Sequence, residues 1–452
     1  MRLTTGICIL AFVSSTAAVA AAVFPDAAAS DPRALGIMQG SPPPPDKAVR
    51  FATGGAFRFP LTRWAFSHWR ELQPTVNVWR GTGPVSRLPR AERADLDAVP
   101  FTTLDGRAMT WGEAIAANYT DGIIVLHQGR ILYERYLGAL EPQMPHIAMS
   151  VTKSVVGALA AQLAADGKLT VDAPVTSYVP ELLDSAFGDA SVRQVLDMTT
   201  SLRYSEDYAD PKADVWNYGR ACGALPVGSD YHGPDQCYAY LATVEKAGPH
   251  GAAFAYRTPN AEVAAWIVKR ATGKSLATLL SEMIWQKIGA EQDAYFAVDA
   301  VGTEIGGGGF NATLRDLARF GEMIRLNGRF NGRQILSPAA VAAIRSGGDR
   351  SQFATAGYAT LPGWSYHDLW WISHDEHGSF SARGIHGQAI WIDPQAELVI
   401  VRYASFPLAA NANLDPTSLP AYAAMARYLT DGRHHPSSAQ QQPSAARSGS
   451  SP

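Results

Sequence analysis

The stretch "HIAMSVTKSVVGALAAQLAADGKL", His146 to Leu169, constrains this chain more than any other. From Val151 to about Asp166 it is apolar and alanine-rich on every helical face, and Gly167 supplies a stop signal. A helix that is apolar all round has to be covered on all sides. It belongs at the centre of a sizeable core, and 452 residues, 47% hydrophobic and 17% charged, are enough to build one. Yet the head of this helix carries Ser150 and, three residues on, Lys153. Residues three apart share a helix face, so the hydroxyl and the ammonium stand side by side.

That pairing has a chemical use. A serine hydroxyl is a poor nucleophile until something removes its proton. A lysine at its usual pKa of about 10.4 cannot accept that proton at neutral pH. Burial and the positive end of the helix dipole both disfavour the ammonium and push Lys153 toward the free amine. Backbone N–H groups at the helix start can also hold a developing oxyanion. The bland alternative is an N-cap serine followed by a solvated lysine. A cation in a first helical turn is unfavourable, and the long apolar run that follows argues for the buried arrangement.

The rest of the chain is organised around this helix. Arg2, an apolar stretch from about Ile7 to Val13 and A-x-A patterns around Ala18–Ala22 have the layout of a signal peptide over residues 1–22. The apolar part is short for a membrane span, so the expectation is cleavage, export to the periplasm or medium, and no stable membrane insertion. Residues 23–105, with "GSPPPPDK", read as an extended, partly ordered lead-in. Residues 433–452 have almost nothing to bury and read as a disordered tail, its His434–His435 pair solvated.

The folded body spans 106–432. Gly122–Gly138 reads as a hairpin turning at Gln128–Gly129, and "GIHGQAIWIDPQAELVIVRYAS" as two strands around Asp393–Pro394–Gln395. Between them lie helical patterns, one capped by Thr258 or Asn260 and one by Thr313 with Asp316. Strands at both ends and helices between predict an α/β (α+β) fold: one antiparallel sheet flanked by helices, with a helical region over about 165–300 inserted. Cys222 and Cys237 remain after signal cleavage; a disulfide and two free thiols both fit an exported chain. The formal net charge of −3 predicts no basic face, and hence no nucleic-acid partner. "SHDEHGS" (Ser373–Ser379) reads as a solvated turn rather than a metal cluster. Trp364, Trp370 and Trp371 are candidates for a pocket wall, with packing on the sheet the expected use of most.

Further motifs carry a family resemblance. "MSVTKS", "GKLTVDAPVTSYVPEL", "VRQVLDMTTSLRYSEDYADP", "FAYRTPNAEVAAWIVKRATGKSL", "GGGGFNATLRDLARFGEMI" and "GIHGQAIWIDP" occur in order over roughly Met109–Pro407. Together they resemble the class C β-lactamases and penicillin-binding-protein-like serine hydrolases, and within them the 6-aminohexanoate-dimer hydrolases and related esterases. The resemblance implies the β-lactamase/transpeptidase-like fold and a small amide or ester substrate, with no cofactor or metal. It implies Ser150 as acylated nucleophile, Lys153 as its proton partner and Tyr256 as a phenol sharing the base role. It implies Tyr208 on a loop that covers the substrate, and an oxyanion hole of the Ser150 and Ile385 backbone N–H groups. His386 is a substrate-side candidate; no G-x-S-x-G elbow supports using it in a triad. Two departures stand out. Thr258 sits two after Tyr256, where the wider family has Asn. Ala382–Arg383–Gly384 stands where true β-lactamases have Lys–Thr–Gly, so β-lactamase or DD-peptidase activity is a secondary reading. A non-catalytic binding protein is a third.

Overall fold

In the computed structural model, residues 24–431 are described. The signal peptide expected over 1–22 and the tail expected over 433–452, with His434–His435, lie outside them. The centre is the helix Val151–Ala165, with thirteen of its fifteen residues buried. Its end falls where Gly167 predicts, with Asp166 as the C-cap and Gly167 at φ 69°. At Gly157 a Cβ would lie 1.9 Å from the Asp368 carbonyl oxygen, so only glycine lets that turn rest on the helix.

A seven-stranded antiparallel sheet lies beside it. Its strands in spatial order are Ser365–His367, Trp370–Ile372, Phe380–Gly384, Gln388–Asp393, Leu398–Ala404, Thr120–His127 and Arg130–Tyr136. The expected hairpin is the last pair, turning through Gln128 and Gly129, both with positive φ. The strands Gln388–Asp393 and Leu398–Ala404 are buried on both faces, which explains their continuous apolar runs. On one face Trp391 packs against Tyr422 of the terminal helix Asp415–Asp431, ring centroids 5.7 Å apart. On the other, Val399 and Ile390 meet the helix Leu314–Arg325 at Gly321. Thr313 caps that helix by accepting from the Asp316 N–H, as expected. Asp316 does not close the capping box on Thr313's own N–H; its carboxylate accepts the N–H groups of Glu291 and Gln292 instead.

Beside the large sheet lies a second, four-stranded antiparallel sheet that the sequence pattern did not announce; one of its strands precedes Thr120 and the other three fall between the two groups of large-sheet strands. Its order is Thr75–Val78, Ala294–Ala297, Phe310–Ala312, His146–Ile147. Its last strand feeds directly into Ser150.

The expectation of an extended lead-in over 23–105 is corrected for residues 24–105. This segment supplies the outer strand Thr75–Val78 and buries Ala65, Phe66, Trp69, Val78 and Leu96 almost completely. The Phe66 carbonyl accepts the Ile147 N–H at 2.8 Å. The physical reason is the aromatic run "AFRFPLTRWAFSHW", whose burial outweighs the extended tendency of the prolines before it. Cys222 and Cys237 form a disulfide. Cys222 is the C-cap of the helix Asp214–Ala221, so the bond fixes the end of that helix.

Candidate active site

Ser150 sits where the small sheet hands the chain to the central helix. The preceding Met149 is in the left-handed region at φ 48°, a conformation that costs a non-glycine residue about 1 kcal/mol or more. Its carbonyl is held by Thr152, which donates both its N–H (3.0 Å) and its Oγ1 hydroxyl (2.6 Å). Lys153 Nζ lies 2.8 Å from Ser150 Oγ and 2.6 Å from the Gly307 carbonyl, on a side chain that is 1% exposed. Burial pulls its pKa down to about 8, against the opposing attraction of the Glu206 and Glu262 carboxylates. At pH 7 about one molecule in ten then carries the free amine. An amine in that state, against a hydroxyl, can accept its proton.

Tyr256 closes the group. Its ring is 5.2 Å from Lys153 Nζ and stacks on Trp371 at 5.4 Å. Burial and the Glu206 charge raise the phenol well above its ordinary value, while the Ser150 hydroxyl beside it pulls the other way. Ser150 and Ile385 line both of the cavities that border the hydroxyl. Backbone N–H groups at such a cavity, beside a hydroxyl, are the kind of donor that can receive a developing negative oxygen.

Two cavities meet at Ser150, and they share Ser150, Tyr208 and Ile385. One, of about 280 Å³, is walled by Phe57, Trp69, Val215, Trp216 and Leu225. The other, of about 220 Å³, holds Glu206, Tyr256, Arg257, Trp371, Arg383 and Asp415. Tyr208 stands between them and donates its hydroxyl to Glu206 Oε1 at 2.9 Å.

His386 lines the apolar cavity with Nδ1 2.7 Å from the Phe406 carbonyl. Burial drops it to about pH 4, so the ring is neutral, Nδ1 donates and Nε2 is left as an acceptor. Its Nδ1 partner is a backbone carbonyl, which gives no triad. Arg383 pairs with Asp415, and its guanidinium lies 5.2 Å from the Trp371 ring. Of the three tryptophans, Trp371 walls the polar cavity; Trp370 packs among Phe320 and Phe380, and Trp364 against Trp391.

Sequence reasoning missed two carboxylates. Glu206 caps the helix Thr258–Thr272 from a distance, its oxygens 2.6 Å from the Thr258 N–H and hydroxyl. The expected cap at Thr258 or Asn260 is thereby corrected: Thr258 is the first helical residue, and Asn260 accepts from Thr200 inside the fold. Glu262 is fully buried and accepts the N–H groups of Gly306 (2.9 Å) and Gly307 (2.7 Å) and the Tyr218 hydroxyl (2.5 Å). A Cβ at Gly307 would strike Thr258, Glu262 and Tyr218 within 2.8 Å. Glu262 thus shapes the glycine turn whose carbonyl receives Lys153. The signal available in sequence was a glutamate in the middle of an apolar helix face.

Metal ligation has weak candidates here. The Cys222 and Cys237 sulfurs beside Glu262 are joined to each other. At Asp197, His367 and Asp368 the Arg193 guanidinium already contacts both carboxylates, at 3.1 and 2.6 Å. In the turn Ser373–Ser379, His374 bonds Ser365 and His377 bonds Asp393, so the two imidazoles serve different partners.

A buried Ser–x–x–Lys pair under an antiparallel sheet flanked by helices defines the β-lactamase/penicillin-binding-protein fold. The family model "Beta-lactamase" matches residues 114–417, and the chain belongs to that family. It is 36% identical over 349 residues to the 6-aminohexanoate-dimer hydrolase of Paenarthrobacter ureafaciens, covering 77% of this chain and 86% of that protein. Among solved structures it is similar to the "Putative 6-aminohexanoate-dimer hydrolase from Bacillus anthracis", with a TM-score of 0.78, 31% identity, and 86% and 99% of the two chains covered. A penicillin-binding-protein homologue from Caulobacter crescentus shares the fold at 17% identity, with a TM-score of 0.53 over 76% of this chain and 99% of that one.

Proposed function

We propose that this protein is a serine hydrolase that cleaves an amide or ester of a small molecule through an acyl-enzyme on Ser150. The observation that carries the reading is the 2.8 Å contact of Lys153 Nζ with Ser150 Oγ, in burial that lowers the amine to about 8. Lys153, with Tyr256, takes the Ser150 proton as Oγ bonds to the substrate carbonyl carbon. The N–H groups of Ser150 and Ile385 hold the oxyanion. The bond to the amine or alcohol breaks, and Tyr256 delivers the proton to the departing atom. Water then attacks the acyl-enzyme, deprotonated by the same pair, and the acid leaves. Tyr208 covers the site, and the free His386 Nε2 accepts from the substrate.

Relatives described as 6-aminohexanoate-dimer hydrolases make amides one candidate class. The β-lactamase and DD-peptidase reading is weaker, because Arg383, near the missing family lysine, is already neutralised by Asp415. The proposal includes export, which the Cys222–Cys237 disulfide supports.

The test is labelling by a fluorophosphonate, followed by turnover of p-nitrophenyl esters, 6-aminohexanoate dimer and nitrocefin. Labelling that Ser150→Ala abolishes is expected, with esters or amides cleaved faster than nitrocefin. A protein that takes no label, or a Ser150→Ala variant that labels equally, overturns the proposal.

A further inference from the structure

The two cavities that meet at Ser150 differ in what they can accept, and their placement around Tyr256 says which part of the substrate each holds. Tyr256 lines the polar cavity alone. Resting on the hydrolase reading above, the atom that receives its proton is the departing amine or alcohol. The departing group therefore occupies the polar cavity, and the acyl chain occupies the apolar one.

That apolar cavity is lined by no aspartate or glutamate among the described residues. The acids that follow Tyr208 in sequence are occupied elsewhere. Asp210 accepts the Lys212 N–H at 2.8 Å, and Asp214 accepts the Ser205 N–H at 2.8 Å. Glu262 lies behind the wall, its oxygens committed to Gly306, Gly307 and the Tyr218 hydroxyl. Glu206 opens on the other cavity, bound to Thr258 and Tyr208. The helix that forms the wall presents Val215, Trp216 and Gly219, and its end is fixed by the disulfide at Cys222.

We infer that this chain selects substrates with an uncharged, apolar acyl group, and disfavours acyl groups that end in an ammonium. An alkyl chain gains from each methylene it buries there. An ammonium on the same chain gives up its water and meets neutral acceptors only, such as His386 Nε2, with no counter-charge. The inference separates this chain from what the names of its relatives say of theirs: a 6-aminohexanoyl group carries the terminal cation that this cavity leaves unpaired.

The experiment compares p-nitrophenyl hexanoate with p-nitrophenyl 6-aminohexanoate, which share a leaving group and a chain length. At neutral pH kcat/KM is expected to favour hexanoate by about 100-fold or more. A ratio near one, or an inverted ratio, overturns the inference. Leu225 lies at the half-exposed part of the wall. Leu225→Asp is expected to cut the ratio by about tenfold while Leu225→Asn leaves it in place; a folded Leu225→Asp enzyme with an unmoved ratio counts against the cavity assignment.

Binding supplies a readout that needs no turnover. Trp69 and Trp216 line the cavity, so hexanamide is expected to quench tryptophan fluorescence and 6-aminohexanamide to need about 100-fold more ligand. Should neither ester be cleaved while the amides bind in that order, the hydrolase reading fails and the selectivity stands. Should the amides bind equally, the selectivity fails whatever the esters do.

Discussion

The two sides of Ser150 are built from the same kinds of element and do opposite things. On one side the disulfide-fixed helix Asp214–Ala221 and the N-terminal aromatics Phe57 and Trp69 make a wall without carboxylates. On the other, two guanidiniums, two carboxylates and three tyrosines crowd a smaller space. The apolar wall asks only for shape and burial, so it tolerates change in small steps. The polar side holds charges in fixed partnerships, Arg383 with Asp415 and Glu206 with Thr258, so removing one group there leaves another unpaired. Losses on the polar and catalytic side should therefore be large and abrupt, and losses on the apolar side graded.

The largest effect is expected at the contact itself. Lys153→Met should lower kcat on any ester by about 10³-fold or more, because Ser150 loses its proton acceptor. The melting temperature should change little, since relief from burying an amine offsets the Gly307 carbonyl left without its donor. A Lys153→Met enzyme that keeps a tenth of the wild-type rate would place the base elsewhere.

Tyr256→Phe comes next, and it probes the division of labour directly. If Tyr256 serves the departing group, an amide or alkyl ester should lose about 10²- to 10⁴-fold in kcat/KM. A p-nitrophenyl ester, whose leaving group departs without a proton, should lose far less. Equal losses on both substrates would mean that the phenol acts at Ser150 alone, and the assignment of the two cavities would lose its anchor.

Smaller again is the effect of pH and of the carboxylate behind Lys153. The base-competent form is the neutral amine, so kcat/KM should rise with pH through about 8. The charged and titratable groups around that amine are Glu206, Glu262, Tyr218 and Tyr256, the first two attracting the ammonium and holding its pKa up. Glu262→Gln removes one attraction, so the acidic limb should move to lower pH. The plateau rate should fall by about tenfold to a hundredfold as the Gly307 carbonyl loses its support. A lower plateau with an unmoved limb would leave Glu262 a purely structural role.

These groups also mark how far the sequence could be read. The central helix and the Ser150–Lys153 face were legible because periodicity fixes which residues share a helix surface. The hairpin at Gln128–Gly129 and the pair of strands around Pro394 were legible because their turns use residues with few alternatives. Glu206 and Glu262 were not, since each acts across 44 or more residues of chain, on the Thr258 N–H from outside the helix and on the Gly306–Gly307 backbone from within it. Nothing local in "LRYSEDYADP" distinguishes the glutamate that caps a distant helix from the aspartates that close their own turns. The N-terminal segment was misread for a related reason. Its prolines speak locally, while Phe66 meets partners 80 or more residues away, its carbonyl accepting the Ile147 N–H and its ring lying against His146.

That segment gives the smallest expected effect, and it bears on the apolar side. Each methylene buried in the wall should add about 0.8 kcal/mol, or roughly fourfold in kcat/KM, from acetyl toward hexanoyl esters. Phe57 lines that wall at its half-buried edge. Phe57→Ala should flatten the dependence on chain length for the longer esters and leave acetyl esters nearly unchanged, since an acetyl group ends before it reaches the wall. The slope of log kcat/KM against carbon number is the measurement. A slope unchanged in Phe57→Ala would move the acyl chain away from the N-terminal aromatics, and with it the claim that this segment belongs to the site rather than only to the core.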